Sequence, residues 1–233
     1  MSTSGRDREL DDSLKTQIEA RAGTTLGRGY QATVELFNTP RGKLVVKRAH
    51  GGWLFGRAAR GAIAREGAVY ERLSGIPGVP KSYGLLDDNC LILEHISGSS
   101  LREHEMRLRD RPAFFDAFLA TLEAMHAAGV AHGDLKRKDN TIVGPNERPY
   151  IIDFGIACIR RPDGGPLNRL WFEWMRQMDY NAWIKLKYGR RPTDLSPADR
   201  DRYKPLWLEQ IARRIRVTWQ KLTFRRWRKS RRR

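Results

Sequence analysis

Four polar residues in the middle of this chain fall in an order that suits one kind of chemistry. Asp134 and Lys136 stand in His132-Gly133-Asp134-Leu135-Lys136, Asn140 follows, and Asp153 heads Asp153-Phe154-Gly155. Phosphoryl transfer needs little covalent help from a protein. It needs a carboxylate for the acceptor proton, a cation on the transferring group, and metal ions on the phosphates. Asp134 suits the first task and Lys136 the second. Asn140 and Asp153 offer the hard oxygen ligands that Mg2+ prefers. Apolar, strand-like stretches, Thr141-Ile142-Val143 and Tyr150-Ile151-Ile152, lie beside them and would deliver them to a cleft. Chance explains any one of these short matches, but not the ordered set.

Two further signals lie upstream. Gly27 and Gly29 sit in Leu26-Gly27-Arg28-Gly29-Tyr30-Gln31-Ala32-Thr33-Val34, where glycines let backbone N–H groups approach phosphate oxygens. A plain hairpin turn explains the same residues. A dinucleotide-binding fingerprint does not, because Ala32 stands at the third glycine position and no helix follows. Lys47 ends the run Leu44-Val45-Val46-Lys47 and reads either as a snorkelling edge lysine or as half of an ion pair. In the helix that follows, Ile63, Gly67, Tyr70 and Leu73 share a face, with Glu66 inside it and Glu71 well off it. A carboxylate in an apolar stripe needs a cation, and Lys47 is the natural one.

The elements that must position these residues change in texture along the chain. Ala32–Phe37 and Lys43–Arg48 alternate as paired strands, a helix is expected near Ala62–Ser74, and Lys81–Leu86 and Cys90–His95 fit two more strands. Beyond a Ser/Gly joint the pattern becomes helical. Ser100-x-x-Glu103 is a capping-box pattern ahead of Leu101 and Met106. Pro112 would open a helix carrying Phe115, Phe118, Leu119, Leu122 and Met125, and Gly129 would end it. The expected architecture is α+β, with a small β-rich N-lobe and a short helical C-lobe. Its boundaries are a polar lead-in at 1–22, the nucleotide-binding N-lobe at 23–97, the catalytic C-lobe at 98–210 and a basic tail at 211–233.

Over Thr24–Cys158 the chain resembles the protein-kinase superfamily. The resemblance rests on the Gly-rich loop, Val45-Val46-Lys47, Leu93-Glu94-His95-Ile96-Ser97-Gly98, and His126-x2-Gly129-Val130-x-His132-Gly133-Asp134. Within the superfamily it is most similar to compact atypical members, the RIO-type and lipopolysaccharide core-sugar (Kdo-type) kinases. The resemblance implies a two-lobed fold and a kinase using ATP and Mg2+. It implies that Gly27, Gly29 and Val34 cover the nucleotide and that Lys47 holds the α/β-phosphates, paired with Glu66. Glu94 to Ile96 would meet adenine, Asp134 would be the base, and Asn140 and Asp153 would hold metal. Gly133 replaces the usual arginine, which argues against control by activation-loop phosphorylation. The catalytic loop is one residue longer than usual, so strict register puts Asp139 where strand pattern puts Asn140. Asp179 is either the buried aspartate that braces the catalytic loop in the family or an ordinary exposed helix residue. A protein Ser/Thr hydroxyl is the first expected acceptor and a sugar hydroxyl on a glycolipid the second. A nucleotide-binding regulator without turnover is the third reading.

Composition frames these expectations. The 233 residues are 40% hydrophobic, with no apolar run of the roughly 18 residues a spanning helix requires. The start of the chain reads as neither a secretory signal nor a transit peptide, and Cys90 and Cys158 lie in apolar runs. A cytoplasmic protein is expected. Much of the net charge of +17 sits at Ile211–Arg233, with eleven Lys or Arg and no acid. Leu208, Ile211, Ile215, Trp219 and Leu222 make an apolar stripe there. Three readings fit: a last helix on the domain, a helix on an anionic membrane surface, or an RNA contact.

Overall fold

Alternation in the first half of the chain produces an antiparallel sheet. It is built from β1 (Thr24–Arg28), β2 (Ala32–Thr39), β3 (Gly42–Ala49), β4 (Ser82–Leu86) and β5 (Cys90–Glu94), in the order β1-β2-β3-β5-β4. The computed structural model describes residues 23–28, 32–40, 42–49, 56–86, 89–189 and 194–204, with Thr16, Ile18 and Ala20 ahead of them. Gly29 and the tail at 211–233 lie outside the described residues, as does nearly all of the lead-in.

Successive residues of a strand face opposite ways, so each strand serves two layers. Phe37, Val46, Cys90 and Ile92 pack together with Ile18 on one face. Ala32, Ala49, Leu91 and Leu93 belong to the main core on the other. The register sets Val34 opposite Lys47 and Lys47 opposite Leu91, which puts Lys47 on the inner face. Helix α1 (Gly56–Arg72) lies on that side and buries Ala59, Ile63, Glu66, Gly67 and Tyr70. Its described residues run from Gly56, well ahead of the expected Ala62, and Gly56 and Ala59 are buried in the added turns. Glu71 is exposed.

The second lobe begins with β6 (Ser99–Ser100) and the single turn α2 (Leu101–His104). Helix α3 (Arg111–Ala127) has Pro112 in its first turn and is capped by Asp110, whose carboxylate accepts from the Ala113 N–H at 2.9 Å. Then come β7 (Val130–Ala131), β8 (Thr141–Val143), β9 (Pro149–Ile151), β10 (Cys158–Ile159), the long α4 (Gly165–Tyr188) and α5 (Pro197–Arg202). β6, β8 and β9 form one small sheet, and β7 pairs with β10. Phe115, Phe118, Leu122 and Met125 of α3 meet Trp183 and Ile184 of α4 in the core. The Trp183 indole N–H donates to the Phe115 carbonyl at 3.0 Å.

The capping-box expectation holds for position only: Ser100 is the N-cap of α2, but the side-chain bond of the box is not made. The Ser100 hydroxyl is buried without a partner, and Met106 is 90% exposed. Ser100 also ends β6, where it pairs with Ile142.

The joint and the loop before β4 tie the lobes together, alongside the bond from Arg72 to the Ala128 carbonyl. At the first, Gly98 lies so close to β8 that a Cβ would stand 2.1 Å from the Val143 carbonyl oxygen; only glycine fits. At the second, the Thr121 hydroxyl donates to the Pro77 carbonyl at 3.0 Å and the Ile151 N–H to that of Gly78 at 2.8 Å.

Candidate active site

Between the lobes lies a cleft of about 920 Å³. Leu26, Gly27, Val34, Val45 and Leu93 line it from the sheet, and Ile142, Ile152 and Asp153 from the second lobe. Glu94, His95 and Ile96 line it at the joint. The Glu94 carboxylate is turned to the Lys81 N–H at 3.0 Å.

Lys47 stands at the centre. Its Nζ lies 2.7 Å from Glu66 Oε2 and 2.7 Å from Asp153 Oδ1. Three distant segments thus meet on one ammonium: an inner-face position of β3, the buried stripe of α1, and the turn after β9. Burial works against the charge on Lys47, but the two carboxylates outweigh it and raise its pKa above the ordinary lysine value. Burial dominates at Glu66, whose side chain is 2% exposed, and pushes its pKa up despite Lys47. At half-exposed Asp153 burial pushes upward too, but Lys47 prevails and holds the carboxyl below its ordinary value.

Asp153 has φ of +67°, a left-handed conformation that aspartate tolerates better than bulkier residues. The turn separates two jobs. The Asp153 carboxylate enters the cleft while Phe154, 1% exposed, packs between Tyr70 and His132 at ring separations of 5.0 and 4.9 Å. The main chain of Phe154 also hydrogen-bonds Glu66.

The catalytic loop is held by main-chain bonds. The carboxylate of Asp179, fully buried on α4, accepts from the N–H groups of His132 at 2.7 Å and Gly133 at 2.8 Å. It also meets His126 Nε2 at 3.2 Å. Of the two readings of Asp179, the geometry is that of the brace. His132 bridges the Asp134 N–H at Nδ1 and the Ile152 carbonyl at Nε2, which makes Nε2 the protonated nitrogen. Gly133 has φ of +79°, and Met175 fills the space beside it, 2.1 Å from where a Cβ would stand. No side chain, and so no arginine, is accommodated there without strain.

Asn140 is 3% exposed and ties the loop to the segment that leads from β9 to Asp153. Its amide nitrogen donates to the Asp134 carbonyl at 3.1 Å, and its own carbonyl accepts from the Ile152 N–H at 3.0 Å. Asp139 is turned to Arg102 in a two-pronged pair at 2.7 and 2.8 Å. Lys136 and Arg137 each lie 3.9 Å from the Asp134 carboxylate. Arg102 and Arg137 escaped sequence reasoning. Arg102 gives no signal, because its partner is 37 positions away; Arg137 was visible only as the neighbour of Lys136.

Among the described residues no group of three or more His, Cys, Asp or Glu could hold a metal. Mg2+ does not require one, since phosphates and waters complete its shell. The donor set fits: the Asn140 amide nitrogen is occupied, which leaves its oxygen for a cation, and Lys47 takes only one oxygen of Asp153.

A β-rich lobe over a helical lobe, with a lysine–glutamate pair above an aspartate-bearing loop, defines a protein-kinase-like phosphotransferase. The phosphotransferase enzyme family (APH) matches residues 22–181, and the chain belongs to it. The chain is 28% identical over 138 residues to casein kinase II subunit alpha' of Saccharomyces cerevisiae, covering 56% of this chain and 36% of that one. It is 27% identical over 101 residues to "Probable serine/threonine-protein kinase fnkB" of Dictyostelium discoideum, covering 40% and 19%. The matched regions are thus about a third or less of these relatives' length.

Proposed function

We propose that this protein is an ATP-dependent kinase that transfers the γ-phosphate to a hydroxyl, with a protein serine or threonine as the first acceptor to test. One observation carries the reading: the Lys47 ammonium stands 2.7 Å from carboxylates of both Glu66 and Asp153 at a cleft that also reaches Asn140. A bound nucleotide would lay its base between the apolar walls, Val34, Val45 and Leu93 above and Ile142 below, with Glu94 to Ile96 at its edge. Lys47 would hold the α/β-phosphates, and Asn140 and Asp153 would hold Mg2+, which supplies charge neutralisation at the phosphates. Asp134 takes the acceptor proton as the hydroxyl oxygen bonds to phosphorus and the bond to the ADP oxygen breaks. The serine/threonine kinase relatives support the protein acceptor.

A second acceptor, a sugar hydroxyl on a lipid-linked glycan, is favoured by one feature. Leu167, Leu170 and Trp171 of α4 are 79, 68 and 54% exposed, and Ile156 near Gly133 is 62% exposed. No helix among the described residues is long and apolar enough to cross a membrane. A peripheral cytoplasmic location is proposed, with the polybasic stretch at 211–233 meeting anionic lipid; each basic residue near such a surface contributes about 1 kcal/mol.

The test is transfer from labelled ATP with Mg2+ to separated protein and glycolipid fractions. Asp134→Asn should abolish transfer while nucleotide binding persists. Near wild-type turnover in that variant would remove the catalytic assignment. Vesicle retention that is lost on deleting Phe224–Arg233 would support the lipid contact, and RNA retention without vesicle binding would replace it.

A further inference from the structure

Three consecutive cations, Lys136, Arg137 and Lys138, follow Asp134-Leu135. The structure sends them in three directions. Lys138 is paired with Glu105. Lys136 is 71% exposed and lies outside the cleft lining, near Asp134 Oδ1. Arg137 approaches the other oxygen, Oδ2, and lines the cleft beside Asp139, Asn140 and Asp153. Its backbone is extended, with φ of −82° and ψ of 112°, just ahead of the turn Lys138–Asn140 that closes the lengthened loop. The Arg137 N–H donates to the Asp134 carbonyl at 3.3 Å and its carbonyl accepts from the Asn140 N–H at 3.0 Å. Both anchors of the catalytic loop therefore fix where this residue sits.

The charges in the cleft are unequally matched. Two carboxylates already neutralise Lys47. Arg137 faces the Asp134 carboxylate at 3.9 Å, too far for a direct hydrogen bond, with its side chain 58% exposed. It shares the cleft lining with Asp139, Asn140 and Asp153. A guanidinium offers a planar fork of N–H donors that matches two phosphate oxygens at once; an ammonium does not.

We propose that Arg137, and not Lys136, binds the γ-phosphoryl group during transfer, leaving Lys136 on the acceptor side of Asp134. This rests on the kinase reading and deepens it. Before nucleotide binds, Arg137 lies over the Asp134 carboxylate. When ATP enters, the guanidinium moves to the γ-phosphate and leaves that carboxylate open to the acceptor hydroxyl. The extra loop residue makes room for both cations.

Calorimetric affinities for Mg-ADP and for a non-hydrolysable ATP analogue, measured on the full chain and on Arg137→Ala, Arg137→Lys and Lys136→Ala, test the assignment. Arg137→Ala should weaken the ATP analogue about tenfold more than ADP, or about 1.4 kcal/mol in discrimination. Arg137→Lys should recover part of that loss, which separates charge from folding. Lys136→Ala should change the ratio less. Equal weakening of both nucleotides by Arg137→Ala, no change in either, or a larger loss of discrimination from Lys136→Ala would each overturn the assignment. If the intact protein transfers phosphate and Arg137→Ala keeps its discrimination, this inference alone falls. If the intact protein binds neither nucleotide, the kinase reading falls and takes this inference with it.

Discussion

Replacing Asp179 by asparagine tests the brace under the catalytic loop without changing its shape. The carboxylate accepts two main-chain N–H bonds, from His132 and Gly133, on different oxygens. Whichever way an amide is turned, its NH2 faces one of those donors, and a buried N–H is left unsatisfied. Two bonds to a charged acceptor are worth about 3–6 kcal/mol, and asparagine keeps one neutral bond worth about 1. Relief of the carboxylate's desolvation cost offsets part of the difference. The expected net loss is about 2–3 kcal/mol, which for a chain of this size lowers Tm by roughly 5–10 °C. Displacing Asp134 by about 1 Å is expected to cut turnover by about 100-fold, and a smaller shift by less. Nucleotide affinity should change little, because Asp179 does not line the cleft. Thermal unfolding and single-turnover transfer measure the two effects. An unchanged Tm with unchanged turnover would show that the loop does not depend on this carboxylate.

Three further outcomes are expected. Asn140→Ala should cost more activity than Asp139→Ala, because Asn140 is tied to Asp134 while Asp139 is spent on Arg102; a transfer assay showing the reverse ranking would restore Asp139 as metal ligand. Asp153 has a depressed carboxyl pKa, so it stabilises the fold above its unfolded value near 3.8 and loses that contribution as pH falls through the folded value. The stability gap between wild type and Asp153→Asn should therefore hold from neutral pH to about pH 4 and close below it, as read by denaturant unfolding. Gly133→Ala should cost about 1–2 kcal/mol through its positive φ, before any displacement of Met175; equal thermal stability would mean the turn relaxes.

Strands were legible because alternation is local. Val46 and Lys47 declare opposite faces within two residues, and the stripe containing Glu66 could be phased against Tyr70 and Leu73. The start of α1 was not legible: Gly56-Arg57-Ala58-Ala59-Arg60-Gly61 reads as loop until the sheet above it is known. Ser100 was legible as a helix start but not as the end of β6, since a two-residue strand leaves almost no periodic signal. At the site, the motif residues announced themselves by type and order. What joins them did not. Asp179, 46 positions from Gly133, was readable as a brace only through the family resemblance, and nothing in spacing predicts that Arg102 meets Asp139 across 37.

The joint and the loop before β4 limit how the two lobes can move. On one side Gly98 and Ser99 are pinned to β8, while the Glu94 N–H donates to the Lys81 carbonyl and the His95 N–H to that of Lys43. That leaves Ile96 and Ser97 as the compliant links. On the other side Pro77 and Gly78 are pinned to Thr121 and Ile151. With those points held, a rotation about the line that joins them must also break the Lys47–Asp153 pair and the bond from Arg72 to the Ala128 carbonyl. Opening is then a lever motion, with displacement growing with distance from that line. A nucleotide held base-inward would lose its grip at the phosphates first and at the base last. Amide exchange at Ile96 and Ser97 that slows when nucleotide binds would report this pivot directly.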